Sequence, residues 1–550
     1  MIGAMVDDRS MASLGLAAVD GASGTTHGSY FCPLTLNPSN MTRSDSKAGY
    51  IDGLPPRDNL VILTGQQVTQ ITFNGTNDAD GNILASGISF QPSAGGTAYT
   101  ANARKEVILS SGTVGSPQIL QLSGIGPAAQ LASAGVDSRI DLPVGYNLQD
   151  HITATMYFST PPGTLTWNNL SSSQALQDSE MTKYLADRTG MWTFVNQAIA
   201  FPNMADLLGE SSANYAGLVL DQLNATWTET VANKDLPANV ARGLSEQYKI
   251  QQAHIDTDVG QVEMLLHLLG PNNNVGIQAA LQHPWSRGTI FITSNNAFTN
   301  PNINPDYFSV GYDIDIMNNA MRFARRIGQA NPMSELAIAE TQPGATVTGD
   351  ALNDYIRTNG VTTYHPIGTC SMVPRDMGGV VDTRLIVYGT GNIRVVDSSI
   401  IPLHMSAHTM GTTYGVAEKA AEIIKRKYYE VQEVASTSDG ESATGSATSG
   451  TTTGTAVAGA SNFGANAGMS TAAKIGVGAG VGAGVLALLA ALVCPPSLCF
   501  SFSTISMMRV ELMTDRILLY QTKEEGSTQN RRMVPRRPRI RSSTQRRSNW

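Results

Sequence analysis

The stretch EVILSSGTVGSPQILQLSGIGP, residues 106–127, limits the possible folds more than any other part of this 550-residue chain. Val107–Ser110 is a short apolar run that ends in a turn at Gly112. Ser116 followed by Pro117 reads as an N-cap with proline in the first helical position. The helix PQILQL then stops at Gly124. A strand, a tight glycine turn and a helix aim free backbone N–H groups at whatever lies above them. That geometry suits a phosphate or a flat cofactor.

The surrounding segments are β-rich. DNLVILTGQQVTQITFNG alternates and predicts two short strands, and GGTAYTANARKEVILSSG predicts a strand pair with a turn. Further on, NVGIQAALQHPWSRGTIFITSN and the helix DIDIMNNAMRFARRIGQ predict an antiparallel sheet with helices behind it. Thr166–Val240 reads as loops and helices and discloses no substrate. The length predicts two to four structural units. Four cysteines, Cys32, Cys370, Cys494 and Cys499, have no metal-ligand spacing and make no disulfide framework.

Charge is uneven. The formal net charge is −8, yet residues 501–550 hold 11 Lys and Arg against 4 Asp and Glu. The rest of the chain then carries 25 basic against 40 acidic residues, a net −15 that excludes nucleic acid as a natural partner. Residues 432–472 are Ser, Thr, Gly and Ala with almost nothing to bury, which predicts a disordered stalk. Ile475–Val493 is free of charge, and 474–494 is long enough for one transmembrane helix. The alternative is a buried apolar helix. Arginines after the span predict a cytoplasmic, disordered tail at 501–550 and an extracellular body. Cys494 and Cys499 beside it could carry palmitate. Asn40, Asn74, Asn169 and Asn224 begin glycosylation sequons, in keeping with an exported body. The first residues have no signal-peptide pattern and read as the middle of an amphipathic helix.

Two further blocks carry histidines among small residues: TTYHPIGTCSM around His365 and HMSAHTMGTTYGVAEKAA around His408. With GTVGSPQILQLSGIG, LPVGYNLQDH, HPWSRGTIFI and GGVVDTRLIVYGTGNIRVVDSSIIP, they stand in the order of known sequence blocks. The chain thereby resembles the glucose–methanol–choline (GMC) flavoprotein oxidoreductases, nearest the glucose-oxidase and aryl-alcohol-oxidase branch, from about residue 15 to about residue 425.

The resemblance implies a mixed α/β fold with a Rossmann-like FAD-binding domain and an antiparallel-sheet substrate domain. The boundaries it suggests are 1–41 for a substrate-side segment, 42–150 for part of the FAD domain, 151–364 for the substrate domain and 365–425 for the catalytic end. It implies that His365 and His408 face the flavin together. A neutral imidazole takes a hydroxyl proton near neutral pH while a hydride leaves the same carbon. His365 is expected as the base and His408 as its partner, with the exchanged assignment as the alternative. Cofactor contacts are implied at Val68, Gly112, Ser116, Asn147, Asp397, Thr409 and Met410, with Ser398 standing where the family has Gly or Ala. Cys370 is expected as a buried small residue. His404, four residues before His408, lacks a third ligand and predicts no metal site.

One expected block is missing from the pattern. Such proteins begin with a strand, a G-x-G-x-x-G turn and a helix that seat the pyrophosphate. The glycines of GVGAGVGAGVL never supply the third Gly at that spacing. The expectation is a chain that lacks the N-terminal half of the FAD domain and leaves a sheet edge open. Three functions follow: an FAD-dependent alcohol or sugar oxidoreductase using oxygen or another acceptor, a non-redox lyase or cyclase of the family, or an inactive membrane-anchored glycoprotein.

Overall fold

The structure, a computed structural model, describes residues 8–209, 236–430, 507–511 and 517–520. Its larger sheet is antiparallel and has seven strands. The order is Gly28–Phe31, Ala198–Phe201, Val262–His267, Val275–Leu281, Ile152–Ser159 and Ala339–Gln342, with Val361–Thr362 also paired to Ile152–Ser159. The central strand VGIQAAL is buried at every position, because both of its faces are covered. The predicted helix forms as Gly311–Gln329 and packs Met317, Phe323 and Ile327 into the same core as Met156, Phe158 and Ile277. Asp313, in its first turn, accepts hydrogen bonds from the Trp285 and Ser286 N–H groups at 2.7 and 2.9 Å. That pins the HPWSR loop to the helix start.

The second unit holds the glycine turn. Ile393–Val395 runs parallel to Glu106–Ser110. Beside them Gln67–Asn77, Ile83–Gln91 and Tyr99–Asn102 form an antiparallel meander. The expected strand pair at 95–112 is therefore divided between two sheets. The helix after the turn starts earlier than the capping pattern predicts. It spans Gly112–Leu122, with Ser116 and Pro117 inside it. A proline there removes the N–H that would bond to the Thr113 carbonyl. The Thr369 hydroxyl donates to that carbonyl instead, at 2.7 Å, so the helix extends back to Gly112. It ends as expected, at Gly124 with φ of +83°.

An open sheet edge was expected, but the edge beside Glu106–Ser110 is occupied. Met507–Glu511 pairs antiparallel with it, and Ile517–Tyr520 joins that strand to Val61–Leu63. An unpaired edge is a template for any β-prone segment, and MMRVE and ILLY are such segments. This part of the tail is thus paired rather than disordered. The expected stalk at 432–472 and span at 474–494 lie outside the described residues. Among the described residues no helix is long and apolar enough to cross a membrane.

Candidate active site

Three strands, Val61–Leu63, Glu106–Ser110 and Ile393–Val395, point the same way in one sheet. Ligands of α/β sheets sit outside such carboxyl ends. Just beyond these ends lie Gln66, Ser111 with Gly112, and Asp397. Asp397 accepts from the Gly112 N–H at 3.0 Å, the Ser116 hydroxyl at 2.5 Å and the Ser399 N–H at 2.9 Å. It thereby ties the glycine turn to the Ser398–Ile400 turn. Gly112 has φ of +73°, and a Cβ there would meet nothing within 4 Å. Gln66 Oε1 and Ser111 Oγ are buried without a hydrogen-bond partner. A left-handed glycine over open space and two orphaned oxygens are what a cradle for a polar cofactor leaves behind. Val68 lies in the adjoining strand and is buried. Thr409 and Met410 open the Thr409–Lys425 helix, whose first N–H groups have no partner within the helix. These residues fit the adenine and ring ends of FAD. A glycine-rich seat for its diphosphate is not among the described residues.

The NLQD block braces the two histidine loops. Asn147 has φ of +65°, and its Nδ2 donates to Ser371 Oγ and to the Pro402 carbonyl, both at 2.9 Å. Its Oδ1 accepts from Arg287 Nε at 3.0 Å. The Asn147 side chain is thus engaged as a strut between loops. Gln149 exchanges backbone hydrogen bonds with Ile367, and its Nε2 donates to Pro402. Asp150 accepts from the His365 N–H at 3.0 Å, from Tyr307 at 2.5 Å and from the Thr362 hydroxyl. Thr113, beside the glycine turn, donates to the Pro366 carbonyl at 2.7 Å.

This bracing brings His365 and His408 together, with ring centroids 5.7 Å apart. Their pKa values are shifted in opposite directions. Burial, helped by the positive His408, lowers the His365 pKa to about 4, so this ring is neutral near pH 7. Burial would also lower His408, but the Glu263 carboxylate, 2.8 Å from Nε2, outweighs it and holds this ring well above its ordinary value. Cys32 Sγ lies 3.4 Å from His408 Nδ1.

Sequence reading missed Glu263, Cys32 and His151. The available signal for Glu263 was one acid inside the apolar strand VEMLLH, since a buried carboxylate needs a cationic partner. No sequence signal brings Cys32 to a residue 376 positions away. His151 closes the LPVGYNLQDH block and contacts His365 through their Nδ1 atoms at 3.1 Å. Cys370 is fully buried, and burial pushes its thiol pKa up, which suits an inert side chain. Among the described residues no group of His, Cys, Asp and Glu could hold a metal ion.

A neutral and a cationic imidazole, set beside a cradle at the carboxyl ends of parallel strands, make a proton-transfer centre next to a cofactor seat. Residues 9–153 match the N-terminal domain and 284–417 the C-terminal domain of the GMC oxidoreductases, together just over half of the chain. The protein belongs to the GMC oxidoreductase family.

It is 36% identical over 408 residues to the GMC oxidoreductase family protein Mala s 12 of Malassezia sympodialis, covering 74% of this chain and 62% of that one. It is 31% identical to glucose oxidase of Penicillium chrysogenum over 395 residues, covering 71% and 59%. Among solved structures it resembles an FAD-dependent oxidoreductase from Chaetomium thermophilum (TM-score 0.69, 28% identity, 76% of this chain and 71% of that one). It also resembles a fungal aryl-alcohol oxidase (TM-score 0.68, 26% identity, 76% and 70%). The chain thus spans 62% of the length of the Malassezia relative. The match over 9–153 means that the N-terminal domain is present, so the expected lack of that half is not supported. Membership of the family and likeness to FAD-dependent oxidoreductases make FAD the cofactor.

Proposed function

We propose that the protein oxidises the CH–OH group of an alcohol. Bound FAD supplies the hydride acceptor, and His365 takes the hydroxyl proton. The observation that carries this reading is the unequal pair: a neutral His365 beside a His408 made cationic by Glu263. With a pKa of about 4, His365 is free to accept a proton at any pH above that. It is a weak base, so proton transfer is coupled to departure of the hydride from the same carbon. The alcohol loses one proton and one hydride and becomes a carbonyl compound, which conserves atoms and electrons. His408 holds the substrate oxygen by a charge-assisted hydrogen bond from Nδ1, in place of the Cys32 contact. Oxygen or another acceptor then takes the two electrons.

The substrate side of the proposal rests on a cavity of about 630 Å³ that reaches Met410, two residues after His408. Trp167, Leu170, Met191, Trp192 and Phe194 line it. Thr35, Arg43, Asp45, Ser46, Ser171 and Gln177 also line it, but apolar groups predominate, so most of a sugar's hydroxyls would lose water there without recovering partners. An aryl or apolar primary alcohol fits better. The test is anaerobic mixing of the FAD-loaded protein with benzylic alcohols, aliphatic alcohols and glucose. Flavin bleaching by the apolar alcohols, ahead of glucose, is expected. Bleaching by none of them rejects the oxidoreductase reading.

The 474–494 segment is part of the same proposal, as a membrane anchor with the body outside, because Ile475–Val493 carries no charge. With the tail across the membrane, the pairing of Met507–Glu511 and Ile517–Tyr520 with the body's sheet is given up. Retention in membranes after carbonate extraction is expected, and release into the supernatant rejects the anchor.

A further inference from the structure

The hydrogen bonds around His365 determine which of its nitrogens can act. His151 Nε2 lies 3.1 Å from the Gln282 carbonyl oxygen. A carbonyl only accepts, so His151 Nε2 carries a hydrogen. His151 is fully buried near four other histidines, and burial holds its pKa well below the ordinary value. It is therefore neutral, and its Nδ1 is a lone pair. That lone pair faces His365 Nδ1 at 3.1 Å. The second neighbour of His365 Nδ1 is Thr363 Oγ1, at 3.3 Å. The Thr363 hydroxyl already donates to the His151 carbonyl at 2.9 Å, so toward His365 it can only accept. Both neighbours of His365 Nδ1 are acceptors.

We propose that His151, with Thr363, is a positioning residue that locks His365 in the Nδ1–H tautomer and reserves the Nε2 lone pair for the substrate. The relay runs from the Gln282 carbonyl through His151 to His365. What the Nε2 lone pair does rests on the alcohol-oxidising reading, but the tautomer itself does not. When Nε2 takes the hydroxyl proton, Nδ1–H stays in place and its bond to His151 becomes charge-assisted. No ring flip or second proton movement is required. Without the lock, a neutral imidazole in water favours the opposite tautomer, which turns a donor toward the hydroxyl and has no site for its proton.

Nuclear magnetic resonance reads this directly. In the full chain labelled with ¹⁵N-histidine, long-range ¹H–¹⁵N correlations at pH 7 report the tautomer of each of the 8 histidines, with His365 assigned by its loss in His365→Gln. The expected result is Nδ1–H at His365 and Nε2–H at His151. His151→Leu with Thr363→Val should move His365 toward Nε2–H. His151→Asn, whose Oδ1 replaces the acceptor, should restore Nδ1–H. In the FAD-loaded protein, His151→Leu alone should slow flavin reduction roughly 10²-fold at unchanged substrate affinity. That is less than the ~10⁴ that a wrong tautomer costs a serine protease, since Thr363 still accepts.

An Nε2–H tautomer at His365 in the parent overturns the proposal, whether or not the variants fold. So does an unchanged tautomer in the folded double variant. Failure of every alcohol to reduce the flavin, with the tautomers as expected, would overturn the proposed function and leave the relay standing.

Discussion

His408 Nε2 and Glu263 Oε1 form an ion pair at 2.8 Å, with side chains only 12% and 5% exposed. Each partner outweighs the cost of burial for the other. Burial raises a carboxyl pKa, yet Glu263 is held below its ordinary value by His408. Burial lowers an imidazole, yet His408 is held above its ordinary value by Glu263.

This pair sets a pH window. The raised His408 contributes stability that is complete below its ordinary pKa of 6.5 and is lost as pH rises through the folded value. The depressed Glu263 contributes stability that is complete above 4.5 and is lost as pH falls through its folded value. The pair stabilises most between these two values. Glu263→Gln should cost about 3–5 kcal/mol, as expected when one partner of a buried pair is removed. It should also lower the His408 pKa, because burial is then opposed only by the Cys32 contact. A histidine titration in the folded variant checks this, and an unchanged His408 pKa would refute the pairing.

The Gly112–Leu122 helix depends on a hydroxyl from outside it. Thr369→Val should leave the Thr113 carbonyl without a donor and cost about 1–3 kcal/mol. Adding Pro117→Ala supplies the missing N–H from within the helix. Part of the loss should then return in chemical denaturation. A double variant no more stable than Thr369→Val contradicts the explanation of why this helix runs through a proline.

Two left-handed glycines should respond very differently to alanine. Gly112 has open space around its missing Cβ, so Gly112→Ala should cost only the backbone term of about 1–2 kcal/mol. At Gly368, with φ of +98°, a Cβ would lie 2.2 Å from the Asn147 carbonyl oxygen. Gly368→Ala should push the histidine loop off its brace and cost more than about 4 kcal/mol. Equal melting temperatures for the two variants would contradict this ranking.

The histidine pair was legible through the resemblance of the blocks around His365 and His408 to those of the GMC family. Asp397 and Gly112 were each expected at the cofactor, but the hydrogen bond that ties them was not legible. The helix start at Gly112 was misread because the rule for Ser116–Pro117 is local, whereas Thr369 acts from 256 residues away. Glu263, Cys32 and His151 escaped for the same reason. Their roles come from partners that only the folded sheets bring near. An open sheet edge was expected because the first strands of the family's parallel sheet were not found, and no sequence rule pairs a tail strand with a strand about 400 residues earlier.

The most direct test of the account is the rate at which an alcohol reduces the flavin of the FAD-loaded protein, measured by rapid anaerobic mixing for the parent and for His365→Ala. Flavin binding should be largely unchanged, because the imidazole faces the substrate. Reduction should slow by roughly 10²–10⁴, the value of a positioned general base. His408→Ala should also slow it, and the double variant should lose less than the product of the two losses, since both groups serve one proton. If His365→Ala reduces its flavin at the parent's rate with any alcohol the parent accepts, His365 is not the base.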